Sequence, residues 1–414
     1  MKVLWFNLSC PSNYDTDDNR VLGGWQDSLE AIVKNMREIE LMVAFKGKGG
    51  EKTVDGVKYI PIDISYNKYE KIKSCFSWSI ESEKLLEESV RIVEKYHPDI
   101  IHVFGTEWPF GLIAEKTRIP VVVHMQGSAR PNSNVKYSPG YNFSTYFLAM
   151  KGNLARYVWY GIQSIKSKTR VDMEKRIYNC VENYMGRTCW DKAITEIFHP
   201  NRRYFHVDEA LRPSFIQGDA VKWQLPKTET RVVITTVGCG TLYKGADMII
   251  KTAWLLKERG VDFCWNLVGH MPNELRMLVE YKEKHTFKDC NIKLTGPLKP
   301  KELSEMLCSS TIYAHASYID NSPNSLCEAQ ILGTPIVSTN VGGISSLVEN
   351  GVNGILVPAN DPYRMAYEII KLIGDKERML EYSKNGQSVA LERHNTQKIA
   401  RDLLSCYTEI IKKK

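Results

Sequence analysis

Two carboxylates near residue 320 of this 414-residue chain have a spacing that suits the binding of a phosphorylated ligand. Asp320 lies in a polar stretch, and Glu328 follows in an apolar run typical of a helix. Asn324 or Ser325 is suited to cap that helix and leave backbone N–H groups directed at an anion. A diphosphate would fit there, with Glu328 accepting hydrogen bonds from ribose hydroxyls. In the alternative, Asp320 caps a turn and Glu328 complements the helix dipole.

A glycine-rich turn before a lysine is the second candidate. Gly238 and Gly240 follow an apolar strand-like run, and Lys244 precedes a helical pattern. Glycines let the backbone approach a phosphate closely, and a lysine adds a full positive charge. An ordinary turn between a strand and a helix is the alternative.

Together these segments resemble retaining GT-B glycosyltransferases of family 4. Segment 317–338 is similar to that family's Glu-x7-Glu region, with Asp320 in place of the first Glu. Segment 339–358 and the helix start at Asp361 match the same pattern. The resemblance covers about residues 230–375 well and the N-terminal half only in fragments.

The resemblance implies roles for particular residues. Lys244 occupies the Lys position of the family's Gly-Arg-x-x-x-x-Lys-Gly phosphate clamp, but Cys239 stands where the Arg is expected, so one of two cations is missing. Lys244, Asp320 and Gln126 are the predicted catalytic residues. The predicted donor-binding residues are Gly23, Gly24, Gly238, Gly240, Lys244, Asn321, Asn324, Ser325, Leu326 and Glu328.

Gln126 stands where related enzymes often place a histidine, at the end of a buried strand pattern. A glutamine is no general base, but its amide could hold a sugar hydroxyl and stabilise developing charge. His124 is then expected on the opposite face of its strand, as a core residue. Arg187 is a further residue that could reach the site.

The loop after the first strand contains two more features. Gly23 and Gly24 open a helix at Trp25, and backbone amides there could meet a sugar or phosphate. Asp15 and Asp17 form an Asp-x-Asp pattern that holds a divalent cation in sugar transferases of another fold. The rest of the chain favours a metal-independent enzyme and a solvated acidic loop.

Apolar runs rich in β-branched residues alternate with helical patterns, which predicts an α/β fold of two Rossmann-like doubly wound domains facing across a cleft. Helices are expected from Trp25 and over about 82–96. The predicted strands are 3–7, 41–45, 100–104, 121–125, 232–237, 264–268, 292–294, 312–316, 336–338 and 355–357.

Residues 199–226 are irregular and polar, which suits a linker with a junction near Pro213. We therefore predict an acceptor-binding domain over 1–212 and a nucleotide-sugar-binding domain over 213–394. We expect a C-terminal helix at about 395–414 to pack on the first domain.

Composition narrows the class of protein. A 43% hydrophobic content argues against disorder, and a net charge of +7 is too small for a nucleic-acid-coating protein. Ten cysteines without a C-x-x-C pair suggest packing thiols in a reducing compartment. No apolar run approaches the roughly 20 residues of a membrane span, and no secretion signal is evident, so we expect a cytoplasmic protein.

The stretch 151–176 interleaves basic and aromatic residues, and such helices can rest on anionic lipid. An ordinary solvated face is the alternative. Peripheral contact with an anionic membrane is therefore an expectation.

The resemblance implies a retaining, metal-independent hexosyltransferase that moves a sugar from a nucleotide-sugar co-substrate to a glycan or lipid-linked acceptor. Among nucleotide sugars, a UDP-sugar is the expected co-substrate. Polysaccharide or glycoconjugate biosynthesis is the expected setting, and no cofactor is expected. Two alternatives stay open: a nucleotide-sugar epimerase of the same fold, and a non-catalytic nucleotide-sugar-binding protein, the latter because Cys239 and Gln126 depart from the family pattern.

Overall fold

The computed structural model describes residues 1–14, 24–151, 153–216, 222–226 and 231–413. The strands, in chain order, are β1 (Lys2–Asn7), β2 (Glu40–Lys46), β3 (Lys52–Val54), β4 (Val57–Ile62), β5 (Ile100–Phe104), β6 (Val121–His124), β7 (Asn183–Gly186), β8 (Arg203–His206), β9 (Val232–Val237), β10 (Phe263–Val268), β11 (Ile292–Gly296), β12 (Ile312–His315), β13 (Ile336–Thr339) and β14 (Ile355–Val357).

The α-helices, in chain order, are α1 (Trp25–Val33), α2 (Lys68–Phe76), α3 (Ser79–Tyr96), α4 (Ala129–Asn134), α5 (Phe143–Ala149), α6 (Leu154–Cys180), α7 (Cys189–Phe198), α8 (Pro213–Ile216), α9 (Ala246–Glu258), α10 (Asn273–Glu283), α11 (Pro300–Ser309), α12 (Asn324–Leu332), α13 (Pro362–Ile373), α14 (Lys376–Arg393) and α15 (Thr396–Lys412). Short 3₁₀ helices span Pro109–Glu115, Leu242–Lys244 and Ile344–Ser346. No helix in the described ranges is long and apolar enough to cross a membrane.

Contacts divide the chain into two compact units. The first comprises Met1–Ser133, Val158–Ala210 and His394–Lys414, and the second comprises Asn134–Tyr157 and Leu211–Arg393. The division differs from a single cut near Pro213 because Asn134–Tyr157, from the N-terminal half of the sequence, packs with the second unit. Tyr141, Ala149 and Met150 supply its contacts to that unit's core.

The first unit is built on an eight-stranded sheet of order β3-β4-β2-β1-β5-β6-β7-β8. All neighbouring pairs are parallel except β3 with β4. In β1, Val3 and Trp5 join the core on one face, and Leu4 and Phe6 join the core on the other. Both faces are therefore covered, which is why residues 3–6 of β1 are all apolar instead of alternating with polar residues.

The second unit has a six-stranded parallel sheet of order β11-β10-β9-β12-β13-β14, with apolar clusters packed against it. Helix α13 begins as predicted, because the Asp361 side chain accepts a hydrogen bond from the Arg364 N–H at 2.9 Å and Pro362 occupies the first turn. The α/β prediction and all ten predicted strands are confirmed, with small shifts of their ends. The sequence analysis missed β3, β4, β7 and β8.

Helix α15 packs into the first unit through Ile399, Leu403 and Tyr407. The Tyr407 hydroxyl accepts a hydrogen bond from Trp5 Nε1 at 3.0 Å and lies 2.5 Å from Nδ1 of His102. The C-terminal end of the described chain is thereby attached to β1 and β5, the centre of the first sheet.

Candidate donor site and strand-end cavity

Lys244 is positioned by a tight turn after β9. The 3₁₀ helix Leu242–Lys244 leads through Gly245 into α9, and Gly245 has a φ of 80°. A Cβ added at Gly245 would lie 1.9 Å from the carbonyl oxygen of Ala316, so only glycine lets this turn pack on the loop after β12. The Tyr318 N–H donates to the Tyr243 carbonyl at 2.7 Å and joins the same two segments.

The predicted catalytic pair of the second unit meets directly. Lys244 Nζ lies 2.6 Å from Asp320 Oδ2, which also lies 3.1 Å from His315 Nε2 and accepts from Ser317 Oγ at 3.2 Å. Burial opposes ionisation of both partners, but their pairing prevails, so the pKa of Asp320 is lowered and that of Lys244 is raised. Both groups are therefore charged at neutral pH.

The loop after β13 holds Asp320 from the other side. The Asp320 carbonyl accepts a hydrogen bond from the Gly343 N–H at 2.9 Å, and a Cβ added at Gly342 would lie 1.9 Å from that carbonyl oxygen. Gly342 also has a positive φ of 52°. The glycine pair in segment 339–358 is thus explained by the close approach of two loops.

Glu328 has a partner that the sequence analysis missed. Its two carboxylate oxygens accept from Nε and Nη2 of Arg212, each at 2.7 Å, in a bidentate pair inside the second unit. Glu328 is almost fully buried, and burial raises its pKa although Arg212 acts in the opposite direction. Arg212 lies in the segment interpreted as a linker, and no local pattern pairs it with a residue 116 positions away.

The start of α12 differs from the expectation. Neither Asn324 nor Ser325 caps it, because the N-cap is Pro323, which makes no side-chain capping bond. Ser325 Oγ instead lies 2.8 Å from the hydroxyl of Tyr313, a buried tyrosine on β12. The predicted capping was therefore wrong, although the first turn of the helix does follow the Asp320 loop. Of the other predicted donor residues, Asn321 and Leu326 are buried.

Cys239 occupies the position where the family pattern has an arginine. Its Sγ is buried beside the Val268 carbonyl, and burial raises its pKa to about 11, so it is a packing thiol. Gly238 and Gly240 flank it directly after β9. Lys244 is therefore the cation that this turn contributes.

Gln126 lies in the first unit, in a cavity of about 300 Å³ at the carboxyl ends of β1, β5 and β6. Gly24, Trp25 and Trp108 also line it. Gly24 is the N-cap residue of α1. Gly23, Asp15 and Asp17, which carried the loop predictions, lie outside the described residues.

Glu107 is a further lining residue of this cavity that the sequence analysis missed. It follows β5 as Gln126 follows β6, and burial raises the pKa of its carboxyl group. The signal available in the sequence was its position just beyond a predicted strand, where ligands bind in parallel sheets.

Two nearby residues lie below the cavity surface. His124 is fully buried and faces the core, as predicted, with its ring 4.7 Å from that of Trp25. Arg187 is also buried, with its guanidinium 4.7 Å from the Trp25 ring and Nη2 3.5 Å from the Gln126 carbonyl. Arg187 thus supports the backbone that carries Gln126.

The basic stretch 151–176 is only partly a free surface. Arg170 donates from Nε to the Glu107 carbonyl at 2.8 Å, and Arg176 pairs with Glu115 at 2.8 Å. Trp159 and Lys168 are exposed. The stretch therefore mixes internal contacts with exposed groups.

Comparisons with known proteins fit this arrangement. Residues 218–389 match the family described as Glycosyl transferases group 1. HepE from Anabaena, solved in complex with UDP and glucose, superposes with a TM-score of 0.65 at 14% identity, over 99% of this chain and 100% of that one. The chain thus has the GT-B fold, and its residues 218–389 are similar to the group 1 glycosyltransferases.

Curated relatives extend the match. A D-inositol 3-phosphate glycosyltransferase from Corynebacterium jeikeium (strain K411) is 29% identical over 58% of this chain and 57% of its own length. The putative colanic acid biosynthesis glycosyltransferase WcaL from Escherichia coli (strain K12) is 30% identical over 42% of this chain and 45% of its own length. The chain thus spans about half the length of these relatives. Lys244, Asp320 and Glu328 all lie within the matched residues 218–389.

Proposed function

We propose that this protein transfers a sugar from a nucleotide-sugar donor to an acceptor hydroxyl, with retention at the anomeric carbon and without a resident metal ion. The observation that carries the proposal is the contact of Lys244 with Asp320 at 2.6 Å, inside the group 1 domain. This pairing keeps a cation charged at a glycine-rich turn, where a diphosphate would otherwise need a metal.

Lys244 has the capacity for this role. A lysine ammonium has three N–H donors, and the Asp320 bond uses one, so two are left for the leaving diphosphate. The Asp320 carboxylate accepts from Ser317, and the Asp320 backbone carbonyl accepts from the loop after β13, so the carboxylate fixes the direction of the ammonium. Stabilisation of charge by a positioned donor is the type of contribution that acts mainly in the transition state.

Glu328 would serve the nucleoside. A carboxylate offers about four lone-pair positions, and the bidentate bond to Arg212 occupies two. The remaining two could accept from neighbouring ribose hydroxyls. Arg212 would then orient Glu328 and keep it ionised despite its burial.

The reaction follows from these roles and from the resemblance. The bond between the anomeric carbon and the diphosphate oxygen breaks, the acceptor oxygen bonds to the same face, and its proton passes to the departing phosphate. No covalent bond to the protein forms. A UDP-sugar is the proposed donor, supported by the UDP and glucose bound to HepE. A glycan or lipid-linked acceptor in polysaccharide or glycoconjugate biosynthesis is proposed because WcaL is named for such a pathway.

The test is a screen of nucleotide sugars for thermal stabilisation, followed by assays of transfer and slow donor hydrolysis. A donor at 100 times its Kd should add about 2.7 kcal/mol to the free energy of unfolding. Product NMR should show the donor's anomeric configuration, and excess chelator should leave turnover unchanged. Donor epimerisation without acceptor, binding without any turnover, or loss of activity to chelator with rescue by Mg²⁺ or Mn²⁺ would contradict the proposal.

A further inference from the structure

A second, larger cavity lies in the first unit, between α3, the turn Pro109–Glu115 and α6. Its volume is about 710 Å³, within the range of small-molecule sites. Leu86, Val90, Leu112 and Met173 give it apolar walls. None of the predicted catalytic or donor-binding residues lines it, so it is separate from both sites described above.

The strand-end cavity and this larger cavity adjoin through a pair of tryptophans. Trp78 lines the larger cavity and Trp108 lines the strand-end cavity that contains Gln126 and Glu107. The two rings are in edge-to-face contact, with centroids 5.0 Å apart. The Trp78 N–H donates to Thr169 Oγ1 at 3.1 Å, which joins the start of α3 to α6 at this point.

Two cations of α6 are located at this junction. The Arg170 guanidinium lies 5.4 Å from the Trp78 ring centre and 5.3 Å from that of Trp108, and Lys166 Nζ lies 4.4 Å from the Trp78 ring centre. A cation–π contact uses no N–H donor. Arg170 donates its Nε–H to the Glu107 carbonyl, so most of its five N–H donors stay available to an anion.

The larger apolar cavity, the two cations and the polar strand-end cavity lie next to one another in that order. This order matches a ligand that has a hydrocarbon chain, a central anionic group and a polar end. We infer that the first unit binds a lipid-linked sugar phosphate, with the hydrocarbon chain between α3 and α6, the phosphate at Lys166 and Arg170, and the sugar beside Gln126 and Glu107. This inference rests on the proposed function, since it specifies the acceptor.

The remaining charges of the larger cavity fit this orientation. Its rim carries the carboxylates of Glu83, Glu87 and Asp172 together with three basic side chains, so its charges are mixed. At the Trp78 end of the cavity, by contrast, the charged groups that contact the indole ring are the cations of Lys166 and Arg170. A phosphate would therefore be favoured at the tryptophan junction over the rest of the rim.

The experiment measures binding of decyl phosphate, as a monomer, to the full chain by calorimetry, without donor. Decyl phosphate should bind at least tenfold more tightly than either decanol or inorganic phosphate. Val90→Trp, which fills the apolar cavity, should weaken decyl phosphate at least tenfold and leave nucleotide binding unchanged. Leu86→Gln provides a second cavity variant in case Val90→Trp does not fold.

Lys166→Ala should reduce the preference for decyl phosphate over decanol by about tenfold, whereas Lys168→Ala, an exposed neighbour on α6, should not change it. Equal affinity for decyl phosphate and inorganic phosphate, or full affinity in folded Val90→Trp and Leu86→Gln, would overturn the inference. Because no donor is present, a failure here together with transfer to a water-soluble sugar would leave the proposed function standing. Lipid binding without transfer would contradict the proposed function alone.

Discussion

The two candidate sites hold their charged groups in different ways. In the second unit, Lys244 with Asp320 and Arg212 with Glu328 form closed pairs at 2.6 and 2.7 Å. In the first unit, aromatic rings surround the cation of Arg170, and its contact near the cavity is a backbone carbonyl. Paired side chains suit a ligand group that never varies, such as a diphosphate and its ribose. Rings and backbone carbonyls leave room for acceptors that differ among enzymes.

The largest expected effect comes from opening one of the closed pairs. Arg212→Ala leaves Glu328 buried without its partner, so we expect the free energy of unfolding to fall by about 3–5 kcal/mol. Arg231→Ala is the matched control, because Arg231 pairs with Asp262 at the surface of the same unit and should cost about 1 kcal/mol or less. Denaturant unfolding measures both, and equal losses would mean that the Arg212 pair is energetically a surface pair.

Lys244→Ala should remove most of the catalytic charge stabilisation. We expect transition-state stabilisation to drop by about 3–4 kcal/mol, because the developing diphosphate charge loses its cation. Lys301→Ala, an exposed lysine of the same unit, should behave as wild type. Steady-state kinetics on folded variants decides the matter, and near-normal turnover of Lys244→Ala would exclude that residue from the mechanism.

Asp320→Asn extends the same comparison. The sequence analysis placed Asp320 among the predicted catalytic residues. Since Asp320 holds Lys244 in the structure, we now expect Asp320→Asn to lower both nucleotide affinity and turnover, each by about 1.5–3 kcal/mol, the range for a charge-assisted hydrogen bond. Calorimetry with UDP tests this, and unchanged affinity would mean that Asp320 does not position Lys244 for the diphosphate.

In the first unit, Tyr407→Phe should act on stability alone. Loss of the hydroxyl leaves Trp5 Nε1 and His102 Nδ1 buried without this partner, at a cost of about 1–3 kcal/mol. Tyr363→Phe, at an exposed tyrosine, serves as the control. A similar midpoint of unfolding for both variants would show that the Tyr407 hydroxyl contributes little.

Acid should weaken the first unit through its buried histidines. Burial lowers the pKa of His102 to about 3 and that of His124 below its usual value. The unfolded chain then binds protons that the folded chain does not, so stability is full above about pH 6.5 and falls as the pH drops, by about 1.4 kcal/mol per pH unit for each histidine. His124→Phe should reduce this slope by one histidine's share between pH 6 and pH 5, and an unchanged slope would contradict the assignment.

The features that could be predicted from the sequence are those that a pattern of neighbouring residues specifies. Buried parallel strands such as β1 and β9 are recognisable as short, mainly apolar runs. Lys244 and Asp320 each belong to a motif with defined residue spacing. The missed elements lack such signals. Strands β7 and β8 are four residues each with mixed polarity, and only the Asp55-Gly56 turn, with positive φ at both residues, indicates the β3–β4 hairpin.

The partners of the site residues could not be predicted for a different reason. The Arg212–Glu328 bond is a product of tertiary packing across 116 positions, and neither residue's neighbours specify it. Ser325 was expected to cap α12, but the hydroxyl of Tyr313, brought close by β12, provides its partner instead. In both cases a long-range contact overrides the local preference.

The attachment of Tyr407 to Trp5 joins residues 402 positions apart. During synthesis the first sheet can therefore form most of its strands early, but one side of its core stays uncovered until α15 leaves the ribosome. At the usual 5–20 residues per second, that delay lasts tens of seconds. The nascent first unit would spend this interval with apolar surface exposed, and a truncation that removes Tyr407 should leave that surface exposed permanently.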